Sequence, residues 1–496
     1  MAGSSPLASN PMGLGVGSGL EYNSRGDGTS YTKYGKNWMP HDMAGLSIQG
    51  NGDVIYEAGP RQMEYYELSG GSYTARYYVR NVLETKSDHY LLTEPDGKSR
   101  KFDLSTGRLE AILNAYGEAA TVNYTGGGDI DYVLLEAVVN SVTRQVKYDY
   151  TWDAVTGRLE SILYQVEGNN VRRVRYEYTG GGDLQKVILE EPAGAGWAEI
   201  ETTYYGYHAT GNGALQYVLG HDAYDRWQSS GGLSTTLSLY ADNEYSYNEE
   251  GGVSQAKTDG GSCESDYDYC FEPQDSSSSS SSSGGGEESS SSSSSGGASA
   301  DLSEAVSTIT ETRNDGSQVI YRTNRIGELI VKSVTDGAST WHPIYQQFDA
   351  KGRVVLQAQN SAISSVSASG VVSLHSAQGL IRTYEWDPSS GQRKAAYVQR
   401  GSAGHEKAKL WARSFTGHSY GNVTIYKVAS ETLYQESSAG GSDPVTTSHA
   451  YTWHKDGSNV ETFQVDKETV TLPAVPSAQG GSGVSATTEQ HYDTWG

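Results

Sequence analysis

The amino-acid sequence predicts an all-β protein built as a tandem array of hairpins. Three observations carry that reading: an internal repeat, a period-2 alternation of aromatic residues, and a composition rich in Tyr and Gly. The 496 residues include 37 Tyr and 9 Trp against 5 Phe, together with 60 Gly. Tyr joins a ring that buries well to a hydroxyl that tolerates water, which suits half-exposed sheets connected by tight glycine turns. Hydrophobic residues make up 36% and the mean hydropathy is −0.57. No apolar run approaches the roughly 20 residues of a membrane-spanning helix, so membrane insertion is not expected. The net charge of −24 and the pI near 4.8 repel phosphate backbones, which argues against nucleic acid as a partner.

Four segments follow in order. Residues 1–45 read as a Gly/Ser-rich arm. Its run Gly13 to Gly19 has no preceding strand and misplaces the third Gly of a dinucleotide fingerprint. Arg25-Gly26-Asp27 matches a cell-adhesion tripeptide, a pattern short enough to recur by chance. No basic and apolar signal peptide is visible at the start.

Residues 46–260 form the first array, and here the repetition is plain. Phe102-Asp103, followed by Gly107-Arg108-Leu109, recurs as Trp152-Asp153 with Gly157-Arg158-Leu159. Tyr124-Thr125-Gly126-Gly127-Gly128-Asp129 recurs as Tyr178-Thr179-Gly180-Gly181-Gly182-Asp183. Residues 261–300 are a Ser/Gly-rich linker or loop with pure Ser from Ser276 to Ser283, unable to build a core. It either joins two bodies or bulges from one continuous sheet, and the resumption of strand-like repeats favours the second. Residues 301–496 form a second array, with Phe348-Asp349 and Gly352-Arg353, then a looser Tyr384 to Arg393. It stops on Tyr492-Asp493-Thr494-Trp495-Gly496, where the next repeat would place an Arg. That ending predicts a fragment or processed piece of a longer repeat protein.

The repeating unit is a hairpin. Val146, Tyr148, Tyr150 and Trp152 alternate with polar residues, as do Val174, Tyr176 and Tyr178, the pattern of a half-buried strand. Asp after the aromatic residue accepts backbone N–H groups in the turn, and Gly supplies positive φ. Further turns are expected at Pro95-Asp96-Gly97, Asn314-Asp315-Gly316 and Lys455-Asp456-Gly457. One hairpin is marginal alone, so each must lay its ring-bearing face on a neighbour.

These motifs resemble the YD-repeat (Rhs) family, whose unit is Tyr-Asp-x-x-Gly-Arg-Leu. The matching residues are Phe102, Asp103, Gly107 and Arg108; Trp152, Asp153, Gly157 and Arg158; Phe348, Asp349, Gly352 and Arg353; and Tyr492 with Asp493. The resemblance implies a large extracellular or surface protein whose hairpins spiral into one continuous sheet, open or shell-like. In toxin members of the family the sheet closes around a C-terminal toxin and ends in an Asp-Pro-x-Gly cleavage motif. This chain shows no such motif: Asp387-Pro388 is followed by Ser389-Ser390-Gly391.

Catalytic chemistry finds little footing. His405-Glu406 lacks the second His of a zinc helix, and no nucleophile elbow appears. No cofactor is expected. The two Gly-Gly-Gly-Asp turns offer Asp129 and Asp183 as weak cation ligands, thin against the roughly six to eight oxygens Ca²⁺ takes. Cys263 and Cys270 are disulfide candidates or two free thiols. Asn123 and Asn422 open acceptor sequons for N-linked sugar, and the Ser tract offers O-linked sites. The resulting expectation is a non-catalytic, secreted or surface scaffold, bare at both ends of its sheet and so open to head-to-tail assembly with itself or with the rest of a longer protein. The alternatives are a glycan-binding adhesin and a piece of a toxin-enclosing shell.

Overall fold

The computed structural model describes residues 3–4, 20–22, 32–40, 44–59, 62–139, 142–209, 213–258, 263–271, 302–402, 406–436, 442–475 and 477–494. Its body is one antiparallel sheet of 27 strands, from Val82–Thr85 to Thr487–His491. Each strand pairs with its neighbour in sequence, as the hairpin pattern predicts. The one interruption follows Val354–Ala358, where the small hairpin Ile363–Val366/Val372–Leu374 leaves the sheet before Leu380–Trp386 resumes it. The strand order can be drawn as a ring, yet no ladder joins Thr487–His491 to Val82–Thr85 among the described residues, and the sheet is not closed. It is a spiralling sheet of consecutive hairpins, the architecture implied by the YD-repeat resemblance.

The predicted alternation is visible in burial. Val146, Tyr148 and Tyr150 are buried, as are Val174 and Tyr176, while their polar neighbours face outward or lie half-exposed. Burial drives the Tyr176 hydroxyl far above its ordinary pKa, because the phenolate would lose its hydration there.

The curvature has a repeated cause. At or next to the last residue of one outgoing strand after another, the ladder slips by one residue. This happens between Lys101 and Phe102, Asn123 and Tyr124, Thr151 and Trp152, and Glu177 and Tyr178. It recurs at Tyr207, Tyr247, Phe348 and Trp386. A bulge bends its strand and increases the local twist, so bulges set at one end of successive hairpins bend the sheet in one sense.

The ladder runs directly from Cys263–Phe271 to Ser307–Arg313, with Phe271 opposite Ser307. The sheet is therefore continuous across the Ser tract, whose residues 276–295 lie outside the described ones. The same strand argues against the Cys263–Cys270 disulfide. Seven steps of extended chain at about 3.3 Å each separate their Cα atoms far beyond the roughly 4.4–6.8 Å a disulfide spans. Their side chains lie outside the described residues.

Two features depart from the sequence reading. One α-helix, His221–Ser229, and a 3₁₀ turn, Ser234–Leu239, sit between the strands Leu215–Leu219 and Asn243–Tyr247. Ala223 and Trp227, one helical turn apart, are buried with Leu219, Leu237 and Ala241, which gives this insertion a small core of its own. Second, the segment expected to be a loose arm is packed where it is described. Trp38 is 0% exposed, with ring centroids 5.4 Å from Tyr22 and 4.7 Å from Tyr205. Its indole N–H donates to the Tyr207 hydroxyl at 2.8 Å. A separate four-stranded meander, Gly45–Ile48 to Ser72–Ala75, follows. Together these segments and the first array share one large core running from Leu20 to Val218. Among the described residues, the long hairpins between Ala408 and Thr471 bury only Val423, Ile425 and Phe463 as hydrophobic side chains, with Thr462 and Gln464 buried beside Phe463.

Candidate functional site

The repeat motifs place their residues at the sheet's rims. In the first turn the Asp103 carboxylate accepts from the Ser105 and Thr106 backbone N–H groups at 3.0 and 2.7 Å, and from their hydroxyls at 2.6 and 2.7 Å. These donors hold its pKa well below the usual carboxylate range. The Gly107 N–H donates to the Asp103 carbonyl at 2.9 Å, and Gly107 takes φ +68°. The second copy repeats this, with Thr156 N–H donating to Asp153 at 2.6 Å and Gly157 at φ +67°. Asp349 sits in a turn one residue shorter. Its pKa is lowered although burial works the other way, because Arg353 grips it through Nε at 2.7 Å and Nη2 at 2.6 Å. Tyr492 lies at the end of the described sheet, where its N–H donates to the Asp466 carbonyl at 2.9 Å.

The structure explains why the two sequence blocks recur together. The Arg108 guanidinium lies over the Tyr124 ring at 5.6 Å, and Arg158 lies over Tyr178 at 5.6 Å. Each guanidinium also occupies the space that a Cβ on Gly128 or Gly182 would need. The Gly-Gly-Gly-Asp turn is thus the seat for the arginine of the previous turn, and only its third Gly has positive φ, +85° and +92°. In the sequence pattern that arginine marks only the start of the return strand.

A second link was also missed. Where the aromatic residue at the bulge is Tyr or Trp, it donates to the carbonyl that opens the return strand of the preceding hairpin, a bond that Phe102 and Phe348 cannot make. Tyr124 reaches Leu109 at 2.7 Å, Trp152 reaches Ile130 at 2.6 Å, and Tyr178 reaches Leu159 at 2.9 Å. Tyr207, Tyr247 and Trp386 reach Leu184, Leu215 and Val354 at 2.5, 2.7 and 3.0 Å. The preference for Tyr and Trp over Phe is the available signal, since only the first two carry a donor.

The same rim places lysines beside Asp129 and Asp183, the weak cation candidates of the Gly-Gly-Gly-Asp turns. Lys33 pairs with Asp129, and the Lys36 ammonium stands 3.7 Å from Asp183. Each of the two turn carboxylates therefore has an ammonium group of the N-terminal segment as its neighbour. The Leu46 N–H donates to the Gly107 carbonyl at 2.8 Å, and Tyr22 bridges the Gly213 carbonyl and Leu215 N–H at 2.8 and 2.9 Å. Tyr22, Lys33, Lys36 and Leu46 thus lie against the row of first-array turns.

The opposite rim of the first array meets the second array. The Tyr78 N–H donates to the Lys351 carbonyl at 2.7 Å, its hydroxyl donates to the Gly391 carbonyl, and its ring lies 5.4 Å from Trp386. Further along, Tyr116 Oη donates to Lys455 O at 3.1 Å and Asn114 Nδ2 to Thr494 O at 3.2 Å. The turns of the later repeats dock on the first revolution, and a seam results.

Of the sequons, Asn422 is exposed at a hairpin tip and Asn123 is half-buried within the strand Ala119–Tyr124. Residues 25–27 and His405 lie outside the described residues. Among the described residues no helix is long and apolar enough to cross a membrane.

No protein-family model and no curated protein matches the chain. Among solved structures, a porin-like protein from Bacteroides uniformis is similar at 9% identity over 72% of this chain and 94% of that one, with a TM-score of 0.18. The TcdB2-TccC3 structure is similar at 9% identity over 98% of this chain, with a TM-score of 0.26. The chain spans 31% of that protein's length. At such TM-scores neither match bears on function.

Proposed function

We propose that this protein is a non-catalytic β-scaffold of the cell surface or secreted matrix, whose task is architectural. The observation that carries the reading is the unbroken ladder from Val82 to His491, with the motif carboxylates Asp103, Asp153 and Asp349 committed to their own turns. Groups already holding backbone N–H groups or an arginine are spent on structure and are poor acids or bases near neutral pH.

Assembly is the finer part of the reading. The outer edges of Val82–Thr85 and Thr487–His491 offer N–H and C=O groups to a further strand, and contact of that kind grows filaments. Light scattering and electron microscopy over rising concentration test it, with growth of linear species expected. A monodisperse monomer at high concentration overturns the filament.

A second reading, a segment of a hollow shell of the kind the YD-repeat resemblance implies, is favoured by the seam between successive revolutions. It places the rest of a longer protein, not a second copy, against the last hairpins. Glycosylation at Asn422 fits its exposure, and intact-mass measurement on material from the native source decides it.

A further inference from the structure

Where the four-stranded meander meets the first-array rim lies a cleft of about 620 Å³, inside the range of about 300–1,000 Å³ usual for small-molecule sites. Four charged side chains line it: Lys33, Glu57, Arg108 and Asp129. Lys33 and Asp129 pair with each other, which leaves one charge of each sign. Glu57, half-buried on the strand Val54–Gly59, makes no hydrogen bond or ion pair through its carboxylate among the described residues. The Arg108 guanidinium lies over the Tyr124 ring and beside Gly128, and it too lacks a hydrogen-bonding or carboxylate partner among them. The backbone explains why these two do not join. Gly45 is the cross-strand partner of Glu57 on one side and bridges to Arg108 on the other. Directly opposed residues share a face of a sheet, so the acid and the base flank Gly45 on one face, about 9–11 Å apart at Cα. Gly45 has no side chain to fill the interval, and a Cβ there would meet nothing nearer than the Gly107 carbonyl at 3.9 Å.

The rest of the lining is apolar for the most part. Pro40, Leu46, Ile48 and Ile130 contribute to it, and Ile48 remains 38% exposed. The Tyr34 hydroxyl, also at the cleft, makes no hydrogen bond among the described residues. We propose that this cleft binds a small zwitterion with an apolar body, an amino acid or a short peptide, its ammonium held by Glu57 and its carboxylate by Arg108. A lone anion would answer Arg108 and leave Glu57 opposing it, and a lone cation would do the reverse. A ligand with both charges answers both walls, and charge-assisted hydrogen bonds are the strong ones. Amino acid and peptide share this chemistry and differ in the distance between their charges. The proposal goes beyond the scaffold reading and does not depend on assembly, so either can fail without the other.

Calorimetric titration of the full chain at neutral pH and physiological salt provides the test. The probes are leucine and leucyl-leucine, the N-acetyl and C-terminal amide forms of each, and glycine with diglycine. Leucine or its dipeptide should bind, and the tighter of the two gives the charge separation the cleft accepts. The acetylated form lacks the ammonium and the amide form lacks the carboxylate, so each should bind about tenfold or more weakly, one charged wall being left unanswered. The glycine ligands, without an apolar body, should also be weaker. Glu57→Gln should weaken the zwitterion about tenfold or more and leave the acetylated ligand unchanged, because that ligand has no ammonium to lose. Arg108→Gln should weaken the zwitterion and leave the amide unchanged. Matching thermal unfolding of variant and parent separates lost binding from lost fold, and the blocked ligands decide the question should a variant unfold. Absence of binding by both leucine and its dipeptide, equal binding of either blocked form or of the glycine ligands, or a folded Glu57→Gln chain with unaltered affinity overturns the proposal.

Discussion

Gly107 and Gly157 occupy the same motif position with nearly the same backbone, φ +68° and +67°, and differ only in what lies beside them. A Cβ on Gly107 would collide with the Leu46 carbonyl, whereas one on Gly157 meets nothing within 4 Å. Gly157→Ala should therefore cost only the left-handed backbone penalty, about 1–2 kcal/mol. Gly107→Ala should cost more and also displace the segment around Leu46. Chemical unfolding of the pair measures the difference, and equal losses would refute docking of Leu46 on the turn. The turn carboxylates make a second residue-scale prediction. Their folded pKa values lie below those of the unfolded chain, so their stabilisation is complete above about pH 4 and is lost as pH falls through the folded values. Asp103→Asn and Asp153→Asn should be less stable than the parent at pH 7, with the gap closing in acid. A gap constant down to pH 2 would contradict the assigned hydrogen bonds.

At the level of elements, the strand frames and most turns were legible because both depend on local pattern. The period-2 aromatics gave the strands, and Gly97 and Gly316 take positive φ as expected. At the Asp456 turn the left-handed residue is Asn459, φ +63°, not Gly457, since either residue type tolerates that conformation. The helix at His221 was missed because its apolar face is short, and the covering segment at Trp38 because its partners, Tyr205 and Tyr207, are remote in sequence. Trp38→Ala should cost about 3–5 kcal/mol, the usual range for emptying a buried Trp site. A loss under about 1 kcal/mol would mean the segment is not docked in solution. The Ser tract tests continuity differently. Because Phe271 faces Ser307, replacing residues 276–295 with a short Gly/Ser loop should leave the unfolding temperature unchanged or slightly raised, as loop closure becomes less costly. Separation into two transitions would refute a single sheet.

For the whole molecule the abundance of Tyr becomes a thermodynamic property. Burial raises the pKa of Tyr66, Tyr148, Tyr178 and Tyr247, and pushes that of Tyr124 up to about 12. Above about pH 10 the unfolded chain sheds phenolic protons that the folded chain retains, so stability falls as pH rises beyond that point. Tyrosinate absorbance should lag behind a simple titration, then jump together with loss of the β-sheet circular dichroism signal. A smooth titration with the fold intact would show that these hydroxyls are not buried. The repeated bulges carry one last consequence. Because the bending is distributed over many hairpins, duplicating or deleting a bulged one leaves the radius alone and changes only the arc travelled. Tyr78 must nevertheless arrive opposite Gly391, and Tyr116 opposite Lys455, so an extra hairpin between them would throw the two revolutions out of phase. Copy number in this array behaves like the tooth count of a gear, set by meshing and not by length.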